Sequence, residues 1–337
     1  MGSRSWLQRL TNYWFEPAAP TNLCASRVLF YSGLLVLYWS EDFRNWGSVS
    51  QAFWLPLPAF QALGLRPLSV DSLNVIQVVW RTALALSAIG LFTRVSMIVA
   101  CVLGFYLLGL PHNFGHVFHF DALLVIAMVT LAFSRAGDAW SVDARRLGRP
   151  QPPPSGEYTW PIRLIWLSMA FVFLGAGLSK LRHGGIAWVA SPNMAIILTR
   201  AAYHVSDADP VTTAGLWIAA HSWLSETLAL TALVVELGFV AALFSVRARA
   251  VLVPAAACML VGIRLLMGPT FGGFLIVNVF WVPWDAVLAW VGDRRGWARR
   301  NRTDPESPRG LAVSRGSRRA SDGAPREYVL NRRRPAS

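Results

Sequence analysis

Lys180 is the only lysine in a chain of 337 residues that holds 31 Lys+Arg. It stands near the end of W-P-I-R-L-I-W-L-S-M-A-F-V-F-L-G-A-G-L-S-K-L-R, residues 160–182. That stretch is almost wholly apolar, and at a rise of about 1.5 Å per residue it is long enough to cross a bilayer. The excess of arginine points to a GC-rich genome that keeps lysine where arginine will not serve. Arginine holds its charge at any accessible pH, whereas a desolvated lysine can release its proton and act as a base. Position alone also allows a second role, with the stem lying in lipid and the amine lifted to the headgroups. The G-A-G at 175–177, one turn earlier, lets a neighbouring backbone approach and bury the stem. The same glycines would equally serve plain helix packing.

Other ionisable groups lie in or beside apolar runs: Arg81, Asp121, Glu226, Glu236 and Arg264, with His112, His116 and His119 in P-H-N-F-G-H-V-F-H-F-D. Intramembrane charge is costly and normally faces an interior cavity. With the topology given below all of these but Glu236, which is near the middle of its span, share one leaflet, and a polar pocket opening outward is expected; interhelical salt bridges are the alternative. Glu236 either joins that pocket or pairs with an arginine. If residues 112–119 are helical, the three histidines lie on one face, as zinc or iron could use. Gly115 weakens the helix, and only His183, His204 and His221 remain to complete a larger set. An interfacial histidine belt is therefore expected, and no metal.

The elements that must position these groups are hydrophobic spans. The chain is 54% hydrophobic, with 16 tryptophans and repeated uninterrupted apolar runs, which a soluble fold of this size would not show. An all-α polytopic bundle of about eight spans is expected, at 24–40, 73–93, 95–110, 119–134, 160–181, 222–246, 250–267 and 270–292. Residues 5–15 read as an interfacial amphipathic helix, and 183–221 as interfacial or re-entrant helices that leave seven or nine crossings open. Thr159 and Pro161 read as cap and first-turn proline of the fifth span. No cleavable signal peptide and no myristoylation signal is expected. Arginines cluster at 4 and 9, at 94, at 135–149 and at 247–249, which puts both termini in the cytoplasm of a cell (plasma or inner) membrane. From Asp293 a tail of low hydrophobicity carries 13 arginines against five acids. It is expected to be disordered and to rest on anionic lipid, with no specific nucleic-acid contact. Cys24, Cys101 and Cys258 are too far apart for a ligand pair and read as small core residues.

Several of these segments resemble a known family. F-V-F-L-G-A-G-L-S-K-L-R-H-G-G-I-A-W-V is similar to the core motif of the vitamin K-dependent γ-glutamyl carboxylases and of their bacterial relatives with the horizontally transferred transmembrane (HTTM) domain. That motif is A-G-x-x-K-L with a Trp a few residues on, here Ala176, Gly177, Lys180, Leu181 and Trp188. N-L-C-A-S-R-V-L-F-Y-S-G-L-L at 22–35 resembles the family's opening helix. H-F-D-A-L-L with G-D-A-W-S-V-D-A resembles its histidine-led fourth helix and closing S-x-D. The resemblance covers about residues 5–290. It implies that Lys180 deprotonates a vitamin K or menaquinone-type quinol, after which oxygen addition makes a much stronger base. It also implies a role for the histidine matching near His119; the match differs by one loop residue, which leaves His116 open as well.

The expected catalytic groups are therefore Lys180 and His119, with Arg81, His116, Asp121, Trp188, Glu226 and Arg264 about the substrate. Two departures from the family are expected to matter: V-A-S-P-N follows the Trp where the family has a Gly, and no counterpart of the family's lumenal β-rich domain is expected. Protein glutamate carboxylation is accordingly not expected. The competing expectation is a non-catalytic scaffold, or a lipid- or quinone-binding subunit for a membrane partner. A transporter is disfavoured, since no inverted repeat or pair of broken helices is visible.

Overall fold

The computed structural model describes residues 6–115, 120–203 and 209–292. Among them there is no strand, only one isolated bridge between Ala18 and Ser155, and the chain is all-α. The helices are α1 (Trp6–Trp14), α2 (Thr21–Leu37), α3 (Pro58–Ala62), α4 (Val70–Ile89), α5 (Thr93–Gly109), α6 (Phe120–Phe133), α7 (Val142–Arg146) and α8 (Trp160–Gly184). They continue with α9 (Ala187–Ala190), α10 (Asn193–Tyr203), α11 (Ala214–Ala219), α12 (Ser222–Gly238), α13 (Ala241–Phe244), α14 (Val246–Met267) and α15 (Gly272–Val277). The tail from Asp293 lies outside the described residues.

Every expected span contains helix, yet length and apolarity single out fewer than eight. Val70–Ile89, Thr93–Phe114, Gly156–Gly184 and Val246–Met267 qualify, and Gly272–Trp281 with Trp284–Gly292, bent by 71°, makes a possible fifth. The others are short: α2 and α12 have 17 residues and α6 has 14. At about 1.5 Å per residue, 17 residues reach roughly 25 Å, short of a hydrocarbon core of about 30 Å. The sixth expected span breaks after Gly238 and resumes as α13. The eighth bends at Val282–Pro283, where proline withholds a backbone N–H.

The outer surface is that of a body solvated by lipid. Val78 on α4, Val102 on α5, Phe171 on α8, Val234 on α12 and Val251 on α14 are all exposed, while α14 buries only Ala256 and Leu260. Helices apolar on both faces need an apolar solvent. Beneath that surface the interior is close-packed: Trp80, Phe30, Tyr31, Phe239 and Phe280 are almost fully enclosed. Of the three cysteines only Cys24 is core; Cys101 is half-buried and Cys258 is exposed on α14.

Loop contacts gather at two ends of the bundle. At one end Arg163 pairs with Glu16, the Tyr13 hydroxyl donates to the Leu243 carbonyl, and Asp143 meets the start of α5. At the other, buried Asn113 ties the long α2–α4 connection down. Its Oδ1 accepts from Leu57 N–H, its carbonyl accepts from Leu55 N–H, and its Nδ2 donates to the Gly109 carbonyl, each at 2.7 Å. The α4–α5 corner is shaped by Gly90, in the left-handed region at φ 73°, where a Cβ would stand 2.4 Å from Arg27 Nη1. Thr159 and Pro161 stand at the N-cap and in the first turn of α8 as expected, but the Thr159 hydroxyl makes no capping hydrogen bond and donates to the Glu16 carbonyl at 2.5 Å instead. Gly185, at φ 54° and ψ −144°, ends that helix in a conformation that essentially only glycine adopts.

Asp143 supplies the α5 N-terminus with what its own sequence lacks. One oxygen accepts Phe92 N–H at 3.0 Å, and the other accepts Thr93 N–H and the Thr93 hydroxyl, both at 2.7 Å. Desolvation pushes its carboxyl up, but these hydrogen bonds and Arg146 outweigh it and hold the group below the ordinary carboxylate value. A depressed carboxyl stabilises the fold above the unfolded-state value of about 3.9 and loses that contribution as pH falls through the folded value. Asp143→Ala should therefore cost about 1–2 kcal/mol at pH 7, as losing a helix cap does, read as a lower unfolding temperature in detergent. The gap between variant and parent should close below about pH 4.

Candidate functional site

Lys180 lies in the last two turns of α8, and its partner comes from α12. Its Nζ donates to both carboxylate oxygens of Glu236, at 2.6 and 2.7 Å. The Glu236 side chain is 9% exposed and that of Lys180 is 24% exposed. The close approach this needs comes from Gly177, one turn before the lysine. A Cβ there would stand 2.7 Å from Leu237 Cδ2 and 3.2 Å from Glu236 Cβ. Gly175, in the same G-A-G, faces open space. Stacking of Phe173 on Phe239, with ring centroids 4.5 Å apart, fixes the same two helices deeper in the bundle.

Trp188, on α9, closes over this pair. The ammonium lies 5.5 Å from the centroid of its ring, within cation–π range. Its indole Nε1–H is buried and finds no acceptor among the described residues. A buried donor without a partner costs about 1–3 kcal/mol and marks a place where a further acceptor would be welcome.

The remaining expected residues fall into other contact sets. Asp121, at the start of α6, accepts from the Tyr38 hydroxyl at 2.8 Å and lies 3.0 Å from His112 Nε2. Arg81 donates to the carbonyls of Tyr38 (3.2 Å) and Glu41. His112 and Asp121 line a cleft of about 420 Å³ with Phe60, Phe105 and Val125; neither Lys180 nor Glu236 is in that lining. Arg264, near the end of α14, donates to the carbonyls of Asp209 and Gly268 at 2.7 and 2.8 Å, a role of holding loops. Glu226 is exposed on α12. His116 and His119 lie outside the described residues.

A family model for the HTTM domain matches residues 15–268. The chain belongs to the HTTM domain family. Neither a curated protein nor a solved structure matches it. The matched HTTM region contains Lys180, Trp188 and Glu236, runs through α14 and ends at Gly268. With its apolar helices, this makes the chain a membrane protein of the HTTM family.

Glu236 is the residue that the expected set did not include. A carboxylate in the apolar run T-A-L-V-V-E-L-G is itself a signal, because a lone charge there is expensive. What sequence could not supply was the partner, 56 positions away on another helix. Removing one member of a buried pair strands the other. Glu236→Ala should lower stability by about 3 kcal/mol, whereas Lys180→Met with Glu236→Leu should recover most of it. Thermal unfolding of the purified variants in detergent checks both.

Proposed function

We propose that this HTTM protein carries a proton-accepting site for a lipid-soluble acid, a quinol being the class the family resemblance implies, with Lys180 as base. The observation that carries the reading is the Lys180–Glu236 pair lying beside the unsatisfied indole N–H of Trp188. Lys180 becomes a base by passing a proton to Glu236, already within hydrogen-bond distance. The free amine then accepts a proton from the ligand hydroxyl, and the ammonium so formed steadies the anion. Trp188 fits such a ligand, since its N–H can donate to an oxygen, and the low-dielectric setting strengthens each contact. Arginine in place of Lys180 would keep the positive charge but could not shed it. His119 stays in the reading as the histidine the resemblance implies. Eight crossings, with both termini cytoplasmic, would put Lys180 and Asp121 toward the outer side.

The double contact of Nζ with the carboxylate also favours a second reading, in which the pair is a clamp joining α8 to α12 in a scaffold that binds quinone or lipid without turnover. The two readings separate in one experiment. Purified protein in nanodiscs is supplied with reduced menaquinone-type quinol, and oxygen consumption is followed. Catalysis requires turnover in the parent and a loss of about 100-fold or more in Lys180→Arg, at unchanged unfolding temperature. A rate untouched by that substitution, or no turnover in the parent, would overturn the catalytic reading.

A further inference from the structure

We infer that the corner between α5 and α7 holds one anionic phospholipid, with its phosphate on arginines and an acyl chain between α4 and α5. The cleft at this corner has a volume of about 700 Å³, and its walls include Arg94, Arg135, Arg146 and Arg149 against two acids, Asp138 and Asp143. Both acids are engaged within the protein. Asp138 pairs with Arg135 at 2.7 Å and accepts from the Tyr158 hydroxyl at 2.9 Å, while Asp143 is held by Phe92 and Thr93. Arg94, Arg146 and Arg149 are exposed, and none of them forms an ion pair among the described residues. Arg146 acts on Asp143 at longer range, but none of the three guanidiniums is tied in a salt bridge, and all can meet a phosphate, whose oxygens match their forked donors. Because Asp143 already fills the α5 N-terminus, the anion is left to these side chains.

A second cavity supplies the other half of the ligand. A groove of about 340 Å³ runs along α4 and α5, walled by Val78, Val79, Leu86 and Val99. Phe92 and Val95 line both this groove and the arginine cleft, so the two adjoin at these side chains. Phe92 is held at φ 48°, in the left-handed region, and is 65% exposed at the junction. Bulky residues seldom accept that backbone, and the hydrogen bond its N–H donates to the Asp143 carboxylate helps to keep it there. A cationic cleft beside a furrow of lipid-facing valines suits a molecule with one anionic end and one hydrocarbon end. Inorganic phosphate would leave the furrow empty, and a zwitterionic headgroup would bring a cation of its own toward the arginines.

The test uses the full chain in phosphatidylcholine nanodiscs with a trace of phosphatidylglycerol whose acyl chain carries a photoreactive group; labelled peptides are mapped by mass spectrometry. Residues 78–99 should be labelled several-fold more by this lipid than by phosphatidylcholine bearing the same chain. One basic residue at an anionic surface is worth roughly a fivefold change in affinity, so Arg94→Gln with Arg146→Gln and Arg149→Gln should cut the labelling by about tenfold or more. Mapping by position keeps any contact made by the arginine-rich tail apart from this site. Equal labelling by the two lipids, labelling unchanged in the triple variant, or labelling confined to other segments would overturn the assignment.

Discussion

A single ion pair between α8 and α12 gives this membrane protein its chemical character. Insertion scales put one charge at the centre of a lone spanning helix at roughly 3 kcal/mol unfavourable, so neither Lys180 nor Glu236 is cheap alone. Nζ lies 2.6 and 2.7 Å from the two carboxylate oxygens, and each charge answers the other. The geometry around the pair follows from that need. Gly177 brings the helices within reach, Phe173 and Phe239 set their register, and Trp188 lays its ring over the ammonium.

The same economy governs the ends of the bundle. Polar side chains there serve backbone groups that helix ends leave open. Asp143 satisfies the first amides of α5, Asn113 holds the α2–α4 connection, and Arg264 gathers two carbonyls beyond α14. The exceptions stand out. Trp188 Nε1 and two nitrogens of fully buried Arg27 belong to the atoms without a partner among the described residues, with others on Tyr31, Arg81, Ser87, Arg163 and Asn278. For Arg27 the remaining contact is Nη2 to the Trp140 carbonyl at 2.6 Å, at a residue itself held at φ 53°. For Trp188 the ring that carries the open donor lies 5.5 Å from the lysine ammonium, which is why it bears on function.

Much of the fold is legible in the residue order because hydropathy is a local property. The apolar runs mark where α2, α4, α5, α6, α8, α12 and α14 lie, and the tryptophan-rich start marks α1. Where the reading falls short, the deciding physics is not local. The break after Gly238 goes with packing across to α8, where Phe239 stacks on Phe173. Thr159 reads as a cap but donates to Glu16, which the sequence places 143 positions away. At the site, Lys180 stands out by being alone of its kind, and Gly177 by its spacing. The choice of Glu236 as its partner, and the grouping of Asp121 with Tyr38 and His112, come from tertiary structure alone.

Because the chain has one lysine, its side chain can be observed without interference. Selective labelling with ¹⁵N-lysine yields a single Nζ resonance from the protein in nanodiscs. Engagement by Glu236 under the Trp188 ring predicts an ammonium signal that exchanges slowly with water and shifts in Glu236→Gln. A signal that exchanges like a free surface lysine, and is the same in Glu236→Gln as in the parent, would contradict the pair on which this account rests.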